Sequence, residues 1–511
     1  MRWPSFSRNE PQGSQSPSPA VSRGRVIRGP WRPLRRAFKA AKQDRLTADW
    51  LSGGGDLNQE LKSQLPILRS RARELEQNSN LARRFLQLCE THVVGPDGFT
   101  LQVKGKLKNN KPDTKGNAVV EADFKRWAKR GVCEITGLHS LVSAKRLSIR
   151  TGARDGEFLI RMHDVKPSLL NPWGFVIELL DPDRLDHLLN DDLKNGHRIR
   201  MGVELTNSGR PVAYYLKTGE RTGFIHRRDK HERVPVEDVI HWFDPLRPEQ
   251  LRGATWMASA MLTIHQVEAY QEAAITAARA GASKMGWYKT PDGNAHALAD
   301  EEDDDGELLE EFEPGHLGVL PDGYDFIGFD PKYPHEAYEP FIKTNHHDIA
   351  LGLGVSYHAL TGQLTDVNFS SIRSGTLEER ERWKVLQDLF SVALQRIYLR
   401  WLTAATLNNR FSHVSQEEAL HRYSDHHWQG RRWPWVDPLK DIKAVVEAIN
   451  TGLTSPQRAA AELGVELEEL LDEIAVFQKM LKDKGITLPI LATPVQGVKE
   501  KEGGNNADEN D

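Results

Sequence analysis

Cysteine is nearly missing from this sequence: Cys89 and Cys133 are the only two in 511 residues. Neither LQLCETHVV nor RGVCEITG carries a CxxC or a Cys/His ligand spacing, so a disulfide framework and a zinc site are both unexpected. Two reduced, buried thiols are expected instead. Long apolar runs are missing too. No stretch approaches the roughly 18 residues that a membrane span requires, and the opening RWPSFSRNEPQGSQSPSPA lacks the apolar core of a secretory signal. A cytoplasmic origin with no membrane partner is therefore expected. Nor is there a surplus of basic charge, since the formal net charge is −4. That argues against a protein that clamps DNA through many neutralised phosphates, which takes a concentrated basic face. It leaves open a protein that encloses DNA and lets it slide.

What is present is an ordinary soluble composition. Hydrophobic residues make up 39% and charged residues 27%, with a mean hydropathy of −0.56. The length suggests about three domains. Residues 1–33, rich in Ser, Pro, Gly and Arg, read as disordered. Arg23, Arg25, Arg28, Arg32, Arg35, Arg36, Lys39 and Lys42 make this end basic; a solvated tail is preferred over a tether to an acidic surface or nucleic acid. Residues 57–89 are amphipathic at helical period, with Leu68, Ala72, Leu75 and then Leu81, Phe85, Leu88 on shared faces. Residues 92–103 read as strand–turn–strand around Pro96, Asp97 and Gly98. A helix pair is expected over about 119–130 and 138–150. Strands follow at 157–163, 174–180, 197–205, 211–217 and 238–243, with Asn207-Ser208-Gly209 as a turn. Beyond them the pattern gives a helix at about 255–283, a small β region around 285–328, a helix at about 334–353, a very long helix at about 370–411, and short helices over 438–485. The fold class is α+β and mostly helical. No fixed-period repeat occurs.

Each enzyme reading fails on a missing residue. Gly354-Val355-Ser356-Tyr357-His358 lacks the closing glycine of a G-x-S-x-G elbow and follows a helix rather than a strand. No G-x-x-x-x-G-K-[ST] string occurs, so nucleotide hydrolysis is not expected. In DEEDDDGELLEE, setting Gly306 as the sixth residue of a calcium loop places Glu301, Asp303 and Asp305 as ligands, but Phe312 then stands where a bidentate Glu is needed. His346-His347 and His421, His426, His427 lack the i, i+4 spacing that aims two imidazoles at one metal. Trp428, Trp433 and Trp435, interleaved with Arg431 and Arg432, read as core or interface anchors in preference to a base-stacking surface. No catalytic residue, cofactor site or metal site is assigned.

Four strings, in order, carry a resemblance: RSRARELEQNSNLARRFLQLCETHVVG (69–95), DVIHWFDPLRPEQLRGATWMASAM (238–261), GLGVSYHALTGQLTDVNFSSIRSGTLEERE (352–381) and WQGRRWPWVDPLKDIKAVVEAINTGLTS (428–455). Together they resemble the lambda-type tailed-phage portal proteins over about residues 35–485. Phe369 departs mildly from the tyrosine frequent in that family. The resemblance implies a ring of identical subunits, typically twelve, at one capsid vertex of the virion, assembled in the host bacterial cytoplasm. Double-stranded DNA is packaged through the ring by a separate terminase and later ejected. The implied partners are further copies of the chain, the terminase large subunit, head-completion or adaptor proteins, capsid and scaffold proteins, and DNA without sequence preference.

The resemblance also implies a division of the chain. Residues 1–34 and 487–511 would be disordered tails, 35–253 a wing-like domain, 254–284 a first stem helix, 285–333 a clip-like insert, and 334–355 a second stem helix. Residues 356–369 would be a channel loop, 370–435 a long wing helix with its following segment, and 436–486 a crown-like region. Gln363, Thr365, Asp366, Asn368 and Arg373 are then the candidate DNA-facing residues, and Gly352 and Gly354 the hinge. The loop string LTGQLTDVNFSS has no Lys or Arg, which suits passage better than grip. Arg373 is the one nearby cation, with a salt bridge between subunits as its alternative role. Asn368 or Ser370 is the expected N-cap of the long helix, with Glu378, Glu379 and Glu381 too far along for a capping box. Two other readings stay open: a metal-dependent nuclease using Asp303–Asp305, and another capsid or scaffold component.

Overall fold

The structure, a computed structural model, describes residues 55–219, 226–282, 286–289, 301–302, 308–309, 325–328, 337–365, 369–433, 438–463 and 467–485. The expected tails, Asp303–Asp305, Asp366, Asn368 and Trp435 lie outside the described residues. Asp56–Asp511 forms one unit, to which every element below belongs.

The amphipathic stretch at 57–89 forms two successive helices. Helix α1 (Leu57–Asn78) starts at Asp56, whose carboxylate accepts from the Asn58 amide, and α2 (Asn80–Cys89) starts at Ser79. Ser79 adopts an extended backbone and its hydroxyl accepts from the Ala82 amide, so a single N-cap residue breaks the helix. A π-helical turn, Glu90–Val94, follows where a strand was expected, and only the second half of that stretch is extended, as β1 (Thr100–Val103). Helices α3 (Thr114–Trp127) and α4 (Leu141–Asp155) form the expected pair, each displaced by a few residues from the periodic pattern.

Strands β2 (Glu157–Asp164) and β3 (Phe175–Leu180) lie where the apolar runs placed them. The run at 197–205 is a tight hairpin rather than one strand: Met201 and Gly202 take left-handed backbone between β5 (Arg198–Arg200) and β6 (Val203–Leu205), which follow the short β4 (Asp191–Asp192). Strand β7 (Pro211–Gly219) comes after the Asn207-Ser208-Gly209 turn. Its partner β8 (His226–Pro235) was not visible in the pattern, because HRRDKHERVP is charged on both faces. Strands β4 to β8 form an antiparallel meander, and β9 (Val239–Phe243) joins β2 and β3 in a second sheet of order β3-β2-β9.

Helix α5 (Met261–Ala282) begins later than expected because 256–260 form turns. In the insert region, β10 (Gly286–Lys289) is followed by β11 (Glu301–Glu302), β12 (Leu308–Leu309) and β13 (Asp325–Gly328). Here β10 pairs with β13 and β11 with β12, both antiparallel. Then come α6 (Tyr338–Leu353), α7 (Tyr357–Thr361) and the long α8 (Phe369–Leu407). Helix α9 (Gln416–Tyr423) leads into β14 (His426–Gln429), which pairs with β1 from the other end of the chain; α10 (Pro438–Asn450), α11 (Pro456–Leu463) and α12 (Leu467–Asp483) complete the described elements.

From Trp383 onward α8 runs through the main core. Trp383, Phe390, Tyr398 and Trp401 are almost fully buried, and Phe124 of α3 meets Trp401 edge-on at 5.0 Å between ring centres. Polar ends find partners: the Trp127 indole donates to the Phe175 carbonyl at 2.8 Å and the Tyr398 hydroxyl to the Tyr423 carbonyl at 2.7 Å. Cys89 and Cys133 are buried free thiols, and burial raises both above the ordinary thiol range, Cys133 to about 12.

A buried ion cluster joins the helices to the sheets. Glu157 of β2 accepts from Arg252 at 2.5 Å, from Arg69 of α1 at 2.6 Å and from the Gly253 amide at 2.8 Å, with His241 of β9 at 2.9 Å. Burial alone would raise the Glu157 carboxyl, but Arg252 and Arg69 hold it well below the ordinary carboxylate range.

Candidate functional site: the turn between two helices

Helix α6 ends because Gly354 takes a left-handed backbone, φ 64° and ψ 38°, as its C-cap. An added Cβ there would lie 1.7 Å from the Arg382 guanidinium. That guanidinium, reaching over from α8, donates to the Leu353 carbonyl at 2.7 Å and to the Gly354 carbonyl. These are the acceptors that a helix end leaves unpaired. Gly352, expected to share the hinge, is a contact residue inside α6. Its Cα faces Ala260, 3.3 Å from where a Cβ would sit, and its carbonyl accepts from the Ser259 hydroxyl at 2.7 Å.

The expected 356–369 loop is therefore only partly a loop. Ser356 is the N-cap of α7, its hydroxyl accepting from the Ala359 amide at 3.3 Å while its own amide donates to Glu379 of α8 at 3.3 Å. Glu379 also accepts from the Trp383 indole at 3.2 Å. Thus Glu379, too distant to cap its own helix, caps the one before it. Tyr357 stacks on His347 of α6 at 4.1 Å, and Arg84 of α2 donates to the Ala359 carbonyl at 3.0 Å. The Ser356 oxygen is used by the cap, and the His358 Nδ1 faces the Gln363 carbonyl at 3.2 Å, so the two do not form a nucleophile–base pair.

The remaining candidates divide. Gln363 is exposed, with its side-chain carbonyl accepting from the Tyr357 hydroxyl, and Leu364 and Thr365 beside it are exposed. Asp366 and Asn368 lie outside the described residues. Because α8 begins at Phe369, Ser370 is inside the helix rather than its N-cap. Arg373 pairs at 3.0 Å with Asp441 of α10, a contact within the chain.

Behind this turn, His92 of the π-helical turn stacks on Trp383 at 5.3 Å and accepts at Nδ1 from the Trp433 indole at 2.9 Å. Burial, and then the nearby Arg431, Arg84 and Arg380, lower His92 to about 4. Trp428 is buried under the Lys145 ammonium, 4.6 Å from its ring centre. Both described tryptophans of the aromatic–basic string therefore pack within the chain, as their anchor reading expected. Among the described residues no group of three or more His, Cys, Asp or Glu could hold a metal ion, and no helix is long and apolar enough to cross a membrane. No sequence pattern marks Arg382, Glu379 or Arg84 for these contacts, since charged residues on amphipathic helices ordinarily read as solvated.

Caps, ion pairs and stacked rings hold this turn, which is the chemistry of a structural part. Residues 43–387 match the family model described as phage portal protein, lambda family. The probable portal protein of Halomonas phage phiHAP-1 is 35% identical over 464 residues, 89% of each chain. Portal protein B of Escherichia phage lambda is 23% identical over 447 residues, 78% of this chain and 81% of that one. Among solved structures, a chain in the neck of a native gene transfer agent particle aligns with a TM-score of 0.42 and 13% identity, over 79% of this chain and 93% of that one. The chain belongs to the lambda family of phage portal proteins. That family is structural rather than enzymatic.

Proposed function

We propose that the chain works as one subunit of a ring at a single capsid vertex of the virion, through which double-stranded DNA is packaged and later leaves. In this reading α5 and α6 are the paired stem helices, the β10–β13 region is the clip that meets the terminase large subunit or an adaptor protein, and α10 to α12 form the crown. Capsid and scaffold proteins would surround the wing, and twelve is the expected number of subunits.

One observation carries the reading of the turn. A base fixed by Arg84, Glu379 and Arg382 presents the short exposed stretch Gln363–Thr365, which contains no cation. Each Lys or Arg placed on a phosphate raises DNA affinity steeply, so a cation-free tip fits an element past which DNA must move. Replacing Gln363–Asn368 by a Gly/Ser segment tests this. Rings should still assemble, seen by electron microscopy, while DNA packaging or retention falls. Failure of assembly itself would make the stretch a contact between subunits.

A further inference from the structure

Lysine is concentrated at one place that the channel reading does not use. Five of the twelve residues 104–115, KGKLKNNKPDTK, are lysines, in a chain whose net charge is −4. They sit on a hairpin with a fixed frame. The Lys104 amide donates to the Asp425 carbonyl at 2.8 Å, the Asp113 amide to the Gly105 carbonyl at 2.9 Å, and the Leu107 amide to the Lys111 carbonyl at 2.8 Å. Asp113, 9% exposed, anchors the base by accepting from the Gly116 amide at 3.0 Å, Arg422 at 2.9 Å and the Tyr423 hydroxyl at 3.1 Å. Two of the acidic groups beside it are taken up by arginine, since Arg422 holds both Asp113 and Glu418, while Asp425 also lines the groove. Lys106, Lys108, Lys111 and Lys115 are exposed and enter no ion pair among the described residues. An open groove of about 400 Å³ runs between the hairpin and α9, with Lys104, Lys106 and Lys108 on one wall.

Like charges held this close repel one another, and among the described residues Lys106, Lys108, Lys111 and Lys115 have no ion-pair partner, so this cluster of four attracts a polyanion from outside. The chemistry of the patch selects among anions. Lysine acts as a point charge suited to non-specific phosphate contacts, whereas planar carboxylate pairing favours arginine. The hairpin carries no aromatic residue on which an unpaired base could stack. Leu107 is its one large apolar side chain, 38% exposed, which is little for insertion into a lipid surface. We infer that the 104–115 hairpin and the groove beside it bind the phosphate backbone of double-stranded DNA without sequence preference, apart from the cation-free stretch at Gln363–Thr365. This rests on the conduit reading only for the source of the DNA. One part of the chain then lets DNA slide while another holds it.

The test uses the full chain and a short random-sequence duplex, with binding followed by fluorescence anisotropy over a range of salt. Changing Lys106, Lys108, Lys111 and Lys115 together to glutamine should weaken binding at least tenfold at low salt. It should also make the slope of log affinity against log salt shallower by roughly 2–3.5. Changing Lys62, Lys479, Lys482 and Lys484 to glutamine, the same loss of charge at other exposed sites, should leave the slope nearly unchanged. Equal effects of the two variants, or no effect of the first in a protein of unchanged circular dichroism, would overturn the inference. So would hairpin-dependent binding to polyglutamate or phosphatidylserine vesicles without hairpin-dependent binding to DNA. If hairpin-dependent DNA binding is seen but no DNA passes through assembled particles, the conduit reading fails and this one stands.

Discussion

Changing Gly354 to alanine should loosen the turn between α6 and α7 far more than the loss of a hydrogen atom suggests. Two effects add. Alanine in the left-handed region costs roughly 1–2 kcal/mol. The new methyl also falls on the Arg382 guanidinium, 1.7 Å away, so the arginine must leave the Leu353 and Gly354 carbonyls. Hydrogen bonds from a charged donor contribute about 1.5–3 kcal/mol each when buried, and these are partly exposed, so about 1–2 kcal/mol is the share taken for the pair after water substitutes. The total, roughly 2–4 kcal/mol, corresponds to a 30-fold to several-hundred-fold rise in local opening. Hydrogen exchange of the Gly354, Val355 and Ser356 amides reports it directly, since they donate to Leu351, Ala350 and Glu379. In the Gly354→Ala background, Arg382→Ala should add almost nothing, because the contact is already gone. A threefold or smaller change in exchange for Gly354→Ala, or full additivity of the two substitutions, would refute this account of the turn.

Four further outcomes are expected. Gly352→Ala should alter thermal stability by less than about 1 kcal/mol, because its methyl meets Ala260 at 3.3 Å, while Gly352→Val should cost about 1–3 kcal/mol through overpacking; calorimetry separates them. Glu157→Ala leaves Arg252 buried without its carboxylate and Arg69 with Asp183 alone, and should cost about 3–5 kcal/mol in a denaturation experiment. Because Glu157, Asp183 and Glu76 titrate below their ordinary values in the fold, their contribution is complete above the ordinary carboxylate range and is lost as pH falls through the lowered values; melting temperature should drop steeply there. His92 acts through the other sign of charge. Lowered from 6.5 to about 4, it stays neutral in the fold while an unfolded histidine binds a proton, so stability should fall as pH drops from about 6.5 to 4, and His92→Gln should flatten that part of the profile.

The parts legible in the sequence are those set by local periodicity. Helices α1 to α4, α6 and α8, strands β2, β3, β7 and β9, and the turn at Asn207-Ser208-Gly209 follow from apolar spacing and turn chemistry alone. What stayed hidden depends on contacts between distant residues. Strand β14 exists because β1, more than 300 positions earlier, supplies its ladder, and β8 is a strand through pairing with β7 despite a charged sequence. No local pattern marks Arg69 and Arg252 as core residues; both are buried and share the Glu157 carboxylate of a distant strand. At the candidate site, the αL position of Gly354 was visible as a helix stop. The guanidinium that makes glycine necessary there was not, since it arrives from 28 residues later across a turn.

The most direct test of the central claim is to image the purified full chain by negative-stain electron microscopy at several salt concentrations. The portal account predicts closed rings with a central channel, formed by many copies of this one chain. A population of monomers or dimers alone, under every condition, would contradict it.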